Sequence, residues 1–128
     1  ELRSMLSNFL FYDDDICKKV EVLSPGEKAR VALCKILLKR ANVIILDEPT
    51  NHFDPDTQKI IGENLRDYTG TIIMVSHNPT FVEQVGITRM LIIPPHNEAD
   101  PRHAELALIK SYSRELLEYY YYLNSDLI

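Results

Sequence analysis

Apolar positions recur with a helical period in some stretches and run unbroken in others, and one punctuation mark separates them. A capping residue followed directly by proline occurs at Ser24-Pro25, Asp54-Pro55, Asn78-Pro79 and Asp100-Pro101. A side-chain acceptor at N-cap with proline at N1 marks a helix start, because proline's missing N–H would be an orphan there in any case. The first such helix is expected over residues 25–40. Ser24 and Glu27 form a capping box, and Ala29, Ala32, Leu33, Ile36 and Leu37 share a face while Lys28, Lys35 and Lys39 stay in water. The second is expected over 55–68, with Ile61 and Leu65 inward and Gly70 past its end. The third covers 79–85 and stops at Gly86; the fourth starts at 101 and extends toward 123. Residues 2–11 read as a further helix.

Three short β-branched runs lie between the helices, at 43–46, 71–75 and 89–93. They do not alternate, which predicts strands buried on both faces. Strands alternating with helices give βαβ units, so the expected fold is α/β with parallel strands and flanking helices. The expected organisation is an α/β part over 1–93, a linker over 94–100 and a helical extension over 101–128. In the extension, Ala104, Leu106, Leu108, Ile109, Tyr112, Leu116, Leu117, Tyr120 and Leu123 form a broad stripe that reads as a packing face.

Composition narrows the function classes. The 128 residues are 45% apolar and 26% charged, an ordinary globular balance. The formal net charge is -5, and acid concentrates after residue 40, where six basic side chains face thirteen acidic ones. That argues against simple electrostatic binding of nucleic acid. Two cysteines, Cys17 and Cys34, read as reduced structural thiols in a cytoplasmic setting. No apolar run approaches 18 residues, so direct membrane insertion is not expected.

The chemistry concentrates where strands end. Residues 43–46 run into Asp47-Glu48-Pro49, which places two carboxylates at the carboxyl edge of a parallel sheet, where α/β proteins put ligands. Asp47 can hold Mg²⁺ directly or through water. Glu48 can orient or deprotonate a water. The run 72–75 ends in Ser76-His77-Asn78, and a histidine there can donate to a phosphate oxygen. An Asp-Glu pair alone also reads as an acidic turn, and one histidine alone as a satisfied surface residue. Two neighbouring strands delivering both to one edge favour function.

Four motifs in order carry a resemblance. Leu23-Ser24-Pro25-Gly26-Glu27-Lys28 resembles the signature motif of ATP-binding-cassette (ABC) ATPases, and Leu46-Asp47-Glu48-Pro49-Thr50 their Walker B strand with its glutamate. Asn51-His52-Phe53-Asp54 resembles the D-loop, and Val75-Ser76-His77-Asn78 the switch histidine. The wording from Leu46 to Asp54, and the approach Phe9 to Asp15, are similar to the ABC-F branch, which has two cassettes and no membrane domain. The resemblance implies a partial P-loop NTPase-like fold, ATP and Mg²⁺ as ligands, and a second cassette as partner, in the same or another chain. It implies Asp47 as the Mg²⁺ residue, Glu48 as general base and His77 as the γ-phosphate contact. Ser24, Gly26 and Glu27 of the signature, and Asn51 and Asp54 of the D-loop, would face nucleotide across the cassette pair. The branch acts on ribosomes or in antibiotic resistance; a membrane exporter's cassette and a non-hydrolysing remnant are the alternatives.

Two departures accompany the match. Pro25 stands where LSGGQ-like signatures carry their first glycine, removing a backbone donor. No G-x-x-x-x-G-K-[ST] occurs in the 128 residues. The chain therefore reads as the carboxyl-terminal half of a cassette, beginning mid-stream at Glu1, with poor ATP affinity alone and a tendency to self-associate through uncovered apolar surface.

Overall fold

Three of the four cap-proline starts fall among the residues that the computed structural model describes, 2–93 and 108–125, and all three begin helices. Helix α1 spans Leu2–Asn8, α2 Pro25–Leu38, α3 Pro55–Arg66 and α4 Pro79–Val85. Strand β1 (Val43–Asp47) lies between α2 and α3, and β2 (Thr71–Val75) between α3 and α4. These elements make one compact unit, Glu1–Gly86; Ile87–Ile128 make a second.

Each start is held by its cap. The Glu27 N–H donates to Ser24 Oγ at 3.2 Å, and the Ser24 N–H to Glu27 Oε2 at 2.7 Å, completing the capping box of α2. The Thr57 N–H donates to Asp54 Oδ1 at 3.0 Å, and the Phe81 N–H to Asn78 Oδ1 at 3.1 Å. Gly86 closes α4 at φ +81°, a left-handed conformation that costs glycine nothing. Helix α1 ends at Asn8, short of the expected residue 11. Leu10 turns the chain at φ +63°, and Phe9 and Phe11 on either side of it are buried.

Leu33 and Cys34 of α2, Ile44 and Leu46 of β1, Ile61 and Leu65 of α3, and Phe81, Val82 and Val85 of α4 supply most of the buried core. Each buried aliphatic or phenyl side chain contributes about 1.5–3 kcal/mol. Helix α3 packs on α4 so closely that a Cβ at Gly62 would stand 2.8 Å from the Gln84 Cβ. Cys34 is buried as expected, whereas Cys17 is exposed in a 3₁₀ turn; both are free thiols.

Strands β1 and β2 pair in parallel, with Val43 opposite Thr71 and Asp47 opposite Val75, as the βαβ pattern predicts. The expectation of strands covered on both faces fails. Ile44 and Leu46 are buried, but Ile45 is 71% exposed, and Val43, Ile73 and Val75 share its open face. An unbroken apolar run shows that a strand suits burial; it does not supply the element that would cover its second face.

The second unit departs further. Strand β3 (Arg89–Ile92) pairs antiparallel with β4 (Leu108–Ser111), in a separate two-stranded sheet rather than extending the parallel one. Residues 108–111 were expected within a helix, but cross-strand pairing with β3 overrides their local preference. Helix α5 begins only at Arg114 and reaches Ser125, and the Leu116 N–H donates to Ser113 Oγ ahead of it at 3.4 Å. The expected linker over 94–100 and the helix start at Asp100-Pro101 lie outside the described residues.

Candidate active site at the edge of the parallel strands

Because β1 and β2 are parallel and end in register at Asp47 and Val75, their following residues emerge at one edge. The Glu48 N–H donates to the Val75 carbonyl at 2.9 Å, extending the ladder by one rung. Glu48 then turns at φ +41°, a region costly for a residue with a Cβ and concentrated at functional sites. That turn presents its carboxylate to the neighbouring strand's exit. Glu48 Oε1 lies 2.8 Å from His77 Nδ1. A carboxylate only accepts, so with Glu48 ionised the His77 Nδ1–H is the donor. Glu48 Oε2 is buried and has no hydrogen-bond partner. The pair joins two residues that the sequence proposed from separate strands.

Asp47 is exposed at the strand end. Among the described residues no three His, Cys, Asp or Glu side chains gather as a metal cage. One exposed carboxylate suits a Mg²⁺ that keeps waters and takes its remaining ligands from phosphates, and not a cation held by protein alone.

The loop after Glu48 is tied locally: the Asn51 N–H donates to the Glu48 carbonyl at 3.3 Å and the Phe53 N–H to the Thr50 carbonyl at 3.0 Å. Asp54 has both oxygens engaged by Thr57, the hydroxyl at 2.6 Å and the backbone N–H at 3.0 Å. These bonds, the hydroxyl's first, hold the Asp54 carboxyl below the usual range. Ser24 and Glu27 bond to each other, and the Ser24 backbone N–H is the main cause of a lowered Glu27 carboxyl. Gly26 meets the D-loop-like segment directly: a Cβ there would lie 2.9 Å from the His52 carbonyl oxygen. A side chain at this position would force the His52 backbone to shift, so packing alone favours glycine here before any ligand is considered.

Reasoning from the sequence missed a side-chain bridge behind these loops. Gln58 Nε2 donates to the Phe53 carbonyl at 2.9 Å, and Asn78 Nδ2 donates to Gln58 Oε1 at 2.9 Å. Asn78 was legible as a cap, but a glutamine inside a helix carries no such signal.

Comparison with known proteins gives the family. Residues 1–51 match the family described as ABC transporter. The putative ATP-binding protein YdiF of Bacillus subtilis is 50% identical over 91 residues, covering 71% of this chain and 14% of that protein. ABC transporter F family member 2 of Arabidopsis thaliana is 40% identical over 85 residues, 66% of this chain and 12% of that protein. The chain is an ABC ATPase domain sequence, ABC-F-like. Another relative is the ATP-binding protein Uup of Buchnera aphidicola, 45% identical over 61% of this ABC-F-like chain and 13% of its own length. The chain thus spans well under a fifth of these relatives. A solved chain described under "Structural biochemistry of ATP-driven dimerization and DNA stimulated activation of SMC ATPases" is similar in fold, with TM-score 0.56 and 16% identity. That likeness covers 87% of the ABC-F-like chain and 66% of the solved one. No helix of the described residues is long and apolar enough to cross a membrane.

Proposed function

We propose that these residues belong to an ATPase that binds and hydrolyses ATP with Mg²⁺ between two ABC cassettes, in a cytoplasmic ABC-F protein that works on the ribosome. The observation that carries the hydrolytic part is the contact between Glu48 and His77 at the carboxyl edge of two parallel strands. His77 Nδ1–H holds Glu48 Oε1 and fixes the orientation of the carboxylate that accepts a proton from an attacking water. His77 also serves as the phosphate contact. Asp47 holds Mg²⁺, which when bound offsets the negative charge of the phosphate oxygens. Ser24, Gly26 and Glu27, with Asn51 and Asp54, face the second cassette and its nucleotide; the approach of Gly26 to His52 supports a shared surface for the two motifs. The ribosomal partner rests on the ABC-F likeness alone. Apart from a partner cassette, the open apolar face of Val43, Ile45, Ile73 and Val75 favours self-association of this chain.

The test is Glu48→Gln in the longer protein. The amide keeps the shape and loses the base, so steady-state phosphate release falls about a hundred- to ten-thousandfold while bound nucleotide is retained. Release within about twofold of the parent would remove Glu48 from the reaction. A parent that binds but never hydrolyses ATP would favour the non-hydrolysing reading, for which Pro25 at N1 of α2 is the physical support.

A further inference from the structure

Two polar side chains that belong to neither the Glu48–His77 pair nor the signature connect the loops on either side of the site. Gln58 sits in the first turns of α3, after the loop that carries Asn51 to Asp54. Asn78 directly follows His77 and caps α4. The polarity of their connection is determined end to end. The Phe81 N–H must donate, so the Asn78 atom it meets at 3.1 Å is Oδ1. The other end of that amide is therefore the donor, and the Gln58 atom 2.9 Å away is Oε1. Gln58 Nε2 is then left to donate to the Phe53 carbonyl at 2.9 Å. Asn78 is anchored once more through its own N–H, which donates to Ser76 Oγ at 3.1 Å. The chain of bonds is half-buried and runs from the switch segment to the D-loop-like segment, two sequence regions 20 residues apart at its central bond.

We propose that Gln58 is a positioning residue: through Asn78 and the Phe53 carbonyl it sets the loop bearing His77 against the loop bearing Asn51 and Asp54, and so aligns His77 on Glu48. The proposal rests on the hydrolytic reading above for its kinetic consequence, but not for the linkage itself. His77 and Asn78 are adjacent in the chain, so a displacement of Asn78 shifts the backbone that carries the imidazole facing Glu48. Misplacement of a catalytic group by about 1 Å costs on the order of a hundredfold in rate, and a partial shift correspondingly less.

Near-isosteric variants separate the two ends of the bridge. Gln58→Glu keeps an acceptor for Asn78 and loses the donor to Phe53. Asn78→Asp keeps the cap on Phe81 and loses the donor to Gln58, so α4 stays capped. In the longer protein each single variant should lower kcat on the order of tenfold with KM for ATP unchanged. The double variant should be little worse than the poorer single, because both break one chain of bonds. In the same protein labelled with ¹⁵N-histidine and ¹⁵N-aspartate, either single variant should move the His77 ring resonances and the Asp54 amide together. An unmoved His77 ring would overturn the linkage. A moved ring with unchanged kcat, in a protein that Glu48→Gln silences, would overturn the positioning role and leave the hydrolytic reading standing. Two singles whose losses multiply in the double would also overturn it. If Glu48→Gln proves silent, the hydrolytic reading fails, and the resonances alone still decide the linkage.

Discussion

Gly26→Ala sets two physical effects of opposite sign against each other. Gly26 is the second residue of α2, where alanine is the better helix former and restricts the unfolded chain more; that favours the variant by about 0.4–1 kcal/mol. Against it stands the His52 carbonyl oxygen, 2.9 Å from the new Cβ. Nothing at the end of a flexible side chain can yield there, because the obstacle is backbone. The loop between Thr50 and Asp54, pinned by its Phe53–Thr50 bond and by the Asp54 cap on α3, must move instead. Insertions of one methyl into packed surroundings cost about 1–3 kcal/mol. The steric effect is the larger at the centre of its range, so the variant should be less stable by about 1.3 kcal/mol, within about 0–2.6 kcal/mol on the difference of those ranges. In a unit of this size that lowers the melting temperature by roughly 4–8 °C for each kcal/mol. Urea and thermal unfolding of the nucleotide-free chain, followed by circular dichroism, measure it. A variant more stable than the parent would refute the close approach and return Gly26 to a purely ligand-facing role.

Other outcomes follow from burial and charge. Cys17 should react with a thiol reagent at pH 8 within minutes, while Cys34, buried and with its thiol pushed up to about 11 by desolvation, should react only in denaturant; two fast thiols would contradict the core of α2. Asp54's carboxyl is lowered in the folded state, so its stabilising contribution is complete above the ordinary aspartate range and is lost as pH falls through the folded value. Asp54→Asn should therefore flatten the loss of urea midpoint below about pH 4, and an unchanged acid slope would count against the Thr57 bonds. Ile45→Glu, on the open strand face, should leave thermal stability within about 0.5 kcal/mol and reduce light scattering at high concentration. A large loss of stability would show that this face is covered.

What could be read from the residues was local. Ser24, Asp54 and Asn78 announce their helices because cap and proline act within one turn, and all three caps are formed. The placement of Asp47, Glu48 and His77 at one edge was legible because a parallel pair of strands brings its carboxyl ends together whatever the details. Non-local features were not legible. Leu108 to Ser111 has a helical stripe around it, yet pairs with β3 as a strand. Ile45 looks like core and is exposed, since its fate depends on an element opposite it and not on its neighbours. The turn at Glu48 and the Gln58–Asn78 bridge depend on where two loops meet, which no periodicity records.

If Glu48 and His77 work as one unit, a double-variant cycle on them in the longer protein measures it most directly. Glu48→Gln and His77→Ala should each lower phosphate release at least about a hundredfold at saturating ATP and Mg²⁺. The combined variant should then fall well short of the product of the two losses, because His77's hold on Glu48 has no purpose once the base is gone and only its phosphate contact remains to be lost. Losses that multiply, or a single variant within about twofold of the parent, would contradict a joint role for the 2.8 Å contact between them.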